Sequence, residues 1–252
     1  MPEINVSQQN HILSLEIDRP AAKNAINQSM YQALADAIEG SQDNKEVRAI
    51  LLHAQGNVFT SGNDMQDFLA ISNGAQDDHA GRFIKALISN KKPVVAVVEG
   101  PAIGIGTTLL QFCDFVFISP HAFFKTPFAQ LGLCPEFASS QYLSRLIGIR
   151  KAKAMLMLGE TMTAEEALTL GFVSGLSHNP MEDANSCLEQ LTKLPPSAMQ
   201  ISKAMLVNFE VKDLIECVDA ENKQLFQLLT QPEAREAISA FLEKRPANFS
   251  QF

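Results

Sequence analysis

KKPVVAVVEGPAIGIGTTLLQFCD, residues 91–114, is the stretch from which the fold is read. Val94 to Val98 is rich in β-branched side chains and carries no polar residue, the mark of a fully buried strand. Gly100, Gly104 and Gly106 follow, and Thr107 to Cys113 resume an apolar helical period. The unit is strand, glycine turn, helix. Glycine lets the backbone take φ > 0 and lets another backbone or a ligand come close, and the first helical turn after Gly104 has N–H groups with no intrahelical partner, which suit an anion. Two cofactor motifs fail on spacing: GxGxxG would need glycine at 109, which is Leu109, and a phosphate-binding loop would need Gly-Lys-Ser/Thr, which is absent. Tight strand-to-helix packing is the other reading of these glycines, and the neighbouring segments have to decide.

Composition sets the bounds. With 252 residues, 46% hydrophobic and 19% charged, the chain has an ordinary globular composition and can form one large domain or two small ones. A net charge of −8, with its basic residues spread out, argues against a nucleic-acid surface, although a polyanionic small ligand needs only a local basic cluster. Cys113, Cys134, Cys187 and Cys217 are far apart and form no CxxC or Cys/His ligand spacing, so reduced, structural thiols are expected, with no disulfide framework and no metal site. The first ten residues carry an acid and no apolar run, and no run approaches the roughly eighteen apolar residues of a membrane span. Ser250-Gln251-Phe252 is not a Ser-Lys-Leu type address, and a bacterial cytoplasm is the default expectation.

Working outward, residues 3–18 read as two strands around a polar turn at Gln8–His11, because Leu13, Leu15 and Ile17 alternate with Ser14, Glu16 and Asp18. A helix is expected from about Gln28 to Glu39, stopped by Gly40, then a buried strand over Arg48–His53. The strand runs into GNVFTSGNDM, whose Gly62-Asn63-Asp64 is a second turn able to aim a backbone N–H. A short helix over Gln66–Ser72, a polar loop over Asn73–Asp78 and a helix over Gly81–Ser89 follow, with Arg82, Lys85, Lys91 and Lys92 as a basic group that is either a phosphate contact or a solvated face. Strands are expected over Asp114–Ser119 and Ala122–Lys125, and helices over Ala138–Ile147 and 150–158. Thr163 and Glu166 form a capping box, and Gly171 ends that helix. This rhythm is that of an α/β domain with right-handed crossovers. From Glu182 onward only helices are expected, with apolar faces that hint at self-association.

No paired histidines, zinc motif or GxSxG elbow is present. What remains is two glycine turns that offer backbone donors and one carboxylate, Glu136, in a turn after Cys134-Pro135, a set that suits proton abstraction next to a carbonyl.

Arg19-Pro20…Asn24-Ala25, Phe59-Thr60-Ser61-Gly62-Asn63-Asp64, Lys92-Pro93…Gly100-Pro101-Ala102-Ile103-Gly104…Cys113-Asp114 and Pro127…Leu131-Gly132…Pro135…Leu143…Gly148 occur in order and resemble the enoyl-CoA hydratase/isomerase (crotonase) superfamily over residues 10–175. The resemblance implies an α/β spiral of repeated ββα units, a core domain over residues 1–195, and a helical region over 196–252 that mediates trimerisation, often as a dimer of trimers. It also implies an acyl-CoA thioester as ligand, with coenzyme A part of the substrate and no separate cofactor. By position it assigns an oxyanion hole to the backbone N–H groups of Asn63 and Ile105, and substrate contacts to Lys23, Ala25, Ser61, Gly62, Asp64, Met65 and Gly104. The two glutamates of hydratases are replaced by Thr108 and Phe128, whereas PFAQLGLCPEFASS, residues 127–140, and the SGND of 61–64 resemble the peroxisomal-type Δ3-Δ2-enoyl-CoA isomerases, whose single catalytic glutamate falls on Glu136. A hydratase or other reaction of the superfamily, and a non-catalytic acyl-CoA-binding protein, are the alternative expectations. Phe68, Leu69, Phe83, Phe128 and Phe137 are expected walls for an acyl chain or ordinary core.

Overall fold

A computed structural model of the chain describes residues 3–72, 79–207 and 211–252. The loop expected over Asn73–Asp78 lies outside them. β1 (Ile4–Gln9) and β2 (Ile12–Ile17) form an antiparallel hairpin, and its two turn residues, Asn10 and His11, both take positive φ, as a tight two-residue hairpin turn demands. The alternation in β2 holds: Leu13, Leu15 and Ile17 are buried. After α1 (Gln28–Ser41) the chain enters β3 (Ala49–Ala54), then α2 (Met65–Ser72) and α3 (His79–Ile88), then β4 (Val94–Val98). Every residue of β4 is buried, because β4 pairs in parallel with β3 on one side and β6 (Phe115–Ile118) on the other and has both faces covered. On one face pack α1, α3 and the 105–112 segment; on the other, Ala49, Leu51, Val95 and Val97 meet Ala184, Leu188 and Leu191 of a helix over Pro180–Lys193.

β5 (Ala102–Ile103) leaves this sheet and pairs with β7 (Phe123–Lys125), which pairs in turn with β8 (Thr161–Thr163); β9 (Gly175–Leu176) closes the first sheet beside β6. Between β5 and β6 lies α4 (Ile105–Thr108), and between β7 and β8 lie α5 (Ser139–Ile147) and α6 (Ile149–Leu158). α7 (Ala164–Thr169) opens on the expected capping box, Thr163 Oγ1 taking the Glu166 N–H and the Glu166 carboxylate the Thr163 N–H. The Pro180–Lys193 helix, α8, is followed by α9 (Pro196–Val207), α10 (Val211–Leu229) and α11 (Pro232–Leu242). α10 lies against α2, α3 and α5, so it closes over the sheet face opposite to the one that α8 covers. Among the described residues no helix is long and apolar enough to cross a membrane.

Two expectations need correction. Gly40 does not stop α1; the helix runs through it to Ser41, because at Gly40 the position is open and no positive φ is required. The helix expected over Thr107–Cys113 is a four-residue α-helical turn, α4, that tightens into a 3₁₀ turn over Leu109–Phe112; all eight residues are buried, so packing rather than length holds it.

Candidate active site

Two turns from separate parts of the chain are stitched together. Phe59 N–H donates to Pro101 O (3.0 Å) and Ile103 N–H to Thr60 O (3.0 Å), giving a parallel bridge between Thr60 and Ala102. Gly62 takes φ of 99°, and a Cβ there would lie 3.0 Å from the Ile103 carbonyl oxygen. The glycine at 62 is therefore demanded twice, by its dihedral and by the close approach of the second turn. Gly62→Ala is expected to cost about 1–3 kcal/mol of stability, read as a lower urea midpoint; an unchanged midpoint would mean that the two turns are not held in register at this position.

Asn63 follows. Ile26 N–H donates to Gly62 O and Asp64 N–H to Ile26 O, both at 2.9 Å, so the peptides on either side of Asn63 are fixed. Arg19 adds a further tie, its Nη1 donating to Asp64 Oδ2 (2.6 Å) and Ala25 O (3.0 Å). In the second turn Gly104, φ 57°, donates its N–H to Lys125 O (2.8 Å) and opens α4. Among the described residues the N–H groups of Asn63, Ile105 and Gly106 donate to no acceptor, while those of Gly62, Asp64, Gly104, Thr107 and Thr108 all do. The arrangement thus leaves backbone donors in each glycine turn, Asn63 in the first and Ile105 and Gly106 in the second, for something other than the fold.

Glu136 faces the same region. It is only 5% exposed, and its carboxyl receives the Asn63 amide, Nδ2 lying 3.3 Å from Oε2 and 3.5 Å from Oε1. The amide is oriented by Tyr31 of α1, whose hydroxyl donates to Asn63 Oδ1 at 2.6 Å. Burial pushes the Glu136 carboxyl up to about 7; the Asn63 bond acts against this and the nearby Glu221 charge adds to it. Tyr31, fully buried, is pushed well above its ordinary range by burial and by the Glu136 charge, so its hydroxyl is a fixed donor.

Glu136 and Asn63 stand with Phe68 and Leu225 in a wall shared by two cavities. One is lined by Ser61, Gly62, Met65, Ile103, Gly104 and Phe128 as well, and the other by Ile26, Gln28, Asp67, Ile84 and Asn222. Thus Ser61, Gly62, Asn63, Met65, Gly104 and Glu136 of the expected site are brought to one cavity. Ile105 lines neither cavity: it follows Gly104, which does line one, and its side chain is in the core; Asp64 is taken up by Arg19. Ala25 and Lys23 lie behind the first turn, Lys23 O accepting the Ser61 N–H at 3.0 Å and the exposed Lys23 side chain reaching outward. Thr108 is buried with its hydroxyl on carbonyls of its own helix, and the Phe128 ring sits 3.9 Å from where a Cβ of Gly104 would be, so neither places a carboxyl in the cavity.

Other expectations separate. Phe68 and Phe128 line the first cavity, but Phe83 and Phe137 pack edge-on in the core with centroids 6.0 Å apart, and Leu69 joins a satellite cluster with Phe68, Phe128 and Leu229. In the basic group Arg82 pairs with Asp36 and Glu39 and Lys85 with Asp219, which favours the reading as a solvated face, and Lys92 buries its ammonium on Asn44 O and Val47 O. Sequence reading missed Tyr31 and Glu221. The signal for both was present as a polar group on an apolar stripe, Tyr31 beside Leu34 and Ile38, and Glu221 one turn past Cys217 and Val218.

Known proteins resemble the chain over nearly its whole length. Enoyl-CoA delta isomerase 2 of Rattus norvegicus is 34% identical over 252 residues, covering 96% of this chain and 64% of the rat protein. The chain thus spans under two thirds of that relative. A probable enoyl-CoA hydratase, echA6, of Mycobacterium tuberculosis is 33% identical over 250 residues and covers 98% of both chains. The crystal structure of an enoyl-CoA hydratase/isomerase from Pseudoalteromonas atlantica T6c superposes with a TM-score of 0.93 at 36% identity, over 99% of this chain and 100% of the other. The α/β core capped by C-terminal helices is the crotonase fold. With the family model for enoyl-CoA hydratase/isomerase matching residues 7–252, the chain belongs to that family.

Proposed function

We propose that the protein moves the double bond of an enoyl-CoA from position 3 to position 2, with Glu136 as the single acid and base. The observation that carries this reading is the cavity in which Glu136 stands with residues of both glycine turns, Gly62, Asn63, Ile103 and Gly104; at Thr108 and Phe128, where the resemblance to hydratases places their two glutamates, the chain has no carboxyl to handle water. In the proposed reaction the Glu136 carboxylate takes a proton from C2 of the 3-enoyl thioester, the negative charge moves to the thioester oxygen, and the Asn63 and Ile105 N–H groups hold it. The same carboxyl then returns the proton at C4, and the C3–C4 double bond becomes C2–C3, in conjugation. No atom is added or lost, so one proton carrier suffices. A carboxyl whose proton affinity lies near neutrality is suited to both halves of that transfer. Preorganised donors at a developing oxyanion contribute roughly 10²–10³ in rate each.

Coenzyme A enters as part of the substrate, bound along Lys23, Ala25, Ser61, Gly62, Asp64, Met65 and Gly104, and no separate cofactor or metal is required by the step. The exposed apolar residues of α9, Ile201, Met205 and Leu206, support assembly into a homotrimer or a dimer of trimers. The test is purified protein offered a 3-enoyl-CoA and, separately, a 2-enoyl-CoA. Formation of the conjugated thioester from the first, with little loss of the second, is the expected result. Consumption of the 2-enoyl-CoA alone would replace this reading with hydration, the activity named for the M. tuberculosis relative, and would require another residue to activate water.

A further inference from the structure

Glu221 is a buried carboxylate that the proposed chemistry does not use. It projects from the inward stripe of α10, with Leu214, Cys217 and Val218, and is 7% exposed. Its two oxygens are committed across the chain: Oε2 accepts the Ala138 N–H at 2.7 Å and Oε1 the Ser140 N–H at 2.9 Å. These are the first free donors of α5. The capping position before the helix is Ala138, whose side chain has no acceptor, so a glutamate from another helix performs the function that Ser, Thr or Asp performs locally elsewhere.

What Glu221 caps is a strained turn. Phe137 (φ 62°) and Ala138 (φ 55°) are consecutive non-glycine residues in the left-handed region, a conformation that persists only where the surroundings over-determine it. The Phe137 ring, wedged between Phe83 and Phe112, fixes one half; the charge-assisted bonds from Glu221 fix the other. Glu136 is the residue immediately before this turn, and its own carbonyl is tied to the first residue of α5 by the Ser139 N–H (3.1 Å) and Oγ (2.6 Å). The direction in which the Glu136 side chain leaves the backbone is therefore set by the turn that Glu221 holds.

We propose that Glu221 is a positioning residue for Glu136: by gripping the left-handed Phe137–Ala138 turn from α10, it aims the Glu136 carboxyl at the cavity beside the two glycine turns and makes α10 a working part of the active site. The proposal rests on the reading of Glu136 as the proton carrier. Titratable groups face Glu136 from several elements: Tyr31 from α1, Asp67 from α2 across the shared cavity, Cys134 from its own loop, and Glu221 from α10, with Cys217 next to Glu221. Of these, Glu221 supplies the charge that raises the proton affinity of Glu136 beyond what burial does.

The experiment uses the full chain with Glu221→Gln, which keeps an acceptor and removes the charge, and Glu221→Asp, which keeps the charge and shortens the reach. Each is followed by turnover of a 3-enoyl-CoA across pH and by the carbon-13 titration of the Glu136 carboxyl, with folding checked by circular dichroism. In both variants kcat is expected to fall about 10- to 100-fold with KM little changed, as for a misaimed group, and in Glu221→Gln the Glu136 midpoint moves to lower pH. Two folded variants with wild-type kcat and an unmoved Glu136 titration would overturn the proposal, even if thermal stability dropped, because Glu221 would then be a helix cap only. Glu136→Gln run in parallel separates the two levels: if that variant is fully active, the role of Glu136 is lost, while the carboxyl titration still decides whether Glu221 sets its environment.

Discussion

Glu136→Gln is expected to lower kcat for a 3-enoyl-CoA by about 10²–10⁴, the range that a positioned general acid–base group contributes. Gln is nearly isosteric, keeps an acceptor for the Asn63 amide and cannot carry the proton, so the loss isolates proton transfer from shape. The wild-type profile has a defined sign. The group must be ionised to take the C2 proton, and burial has moved its pKa up to about 7. The rate on the free enzyme therefore rises with pH, is half-maximal near pH 7 and is flat above it, whereas a carboxyl at its ordinary value would already be fully active at pH 6. A Glu136→Gln variant that kept the wild-type rate and the same acid limb would remove Glu136 from the mechanism. Glu136→Asp belongs between the two, because retraction by one methylene moves the carboxyl by about 1 Å, a displacement that can cost ~10² in rate.

The parts of this site differ in how far the sequence exposes them. β4 was legible because five consecutive apolar residues between lysines and glycines have few other uses, and the capping box at Thr163 and Glu166 was legible because its chemistry is local. The glycine turns were legible as places where backbone comes close, and Gly62 against the Ile103 carbonyl is such an approach. Local pattern cannot supply what is built between distant segments. The Tyr31–Asn63–Glu136 chain joins α1, a turn and a loop separated by 32 and 73 residues, and each member alone reads as ordinary. Glu221 reaches its partners over 81 and 83 residues. Of the two readings of the basic group the solvated face fits Arg82 and Lys85, which share one face of α3 and pair with acids there, while Lys92 is separated from them by burying its ammonium on backbone carbonyls. The short α4 also escaped, since the apolar period that marks a helix continues through its 3₁₀ half.

The second large effect concerns stability, and it has the opposite sign to the first. Glu136 sits almost without solvent, and its charged form is disfavoured there mainly by burial. In the unfolded chain the same carboxyl releases its proton near 4.5. Between that value and about 7 the folded state holds a proton that the unfolded state has lost, so unfolding releases a proton and stability falls as pH rises through this window. At about 1.4 kcal/mol per pH unit, the Glu136 contribution favours folding below the window and is lost above it, a swing of roughly 3 kcal/mol. Glu136→Gln has no charge to bury. At pH 8 the variant is therefore expected to be more stable than the wild type by up to that roughly 3 kcal/mol, and at pH 4, where both side chains are neutral, the two should coincide. Urea unfolding at the two pH values measures this directly. Equal midpoints at pH 8 would mean that the Glu136 carboxylate is accommodated in the folded state as well as in water, and the acid limb near pH 7 would then have to come from another group. A gain in stability that grows from about pH 4.5 and levels off near pH 7, in the same variant that has lost turnover, would identify one buried carboxylate as the source of both the chemistry and its thermodynamic cost.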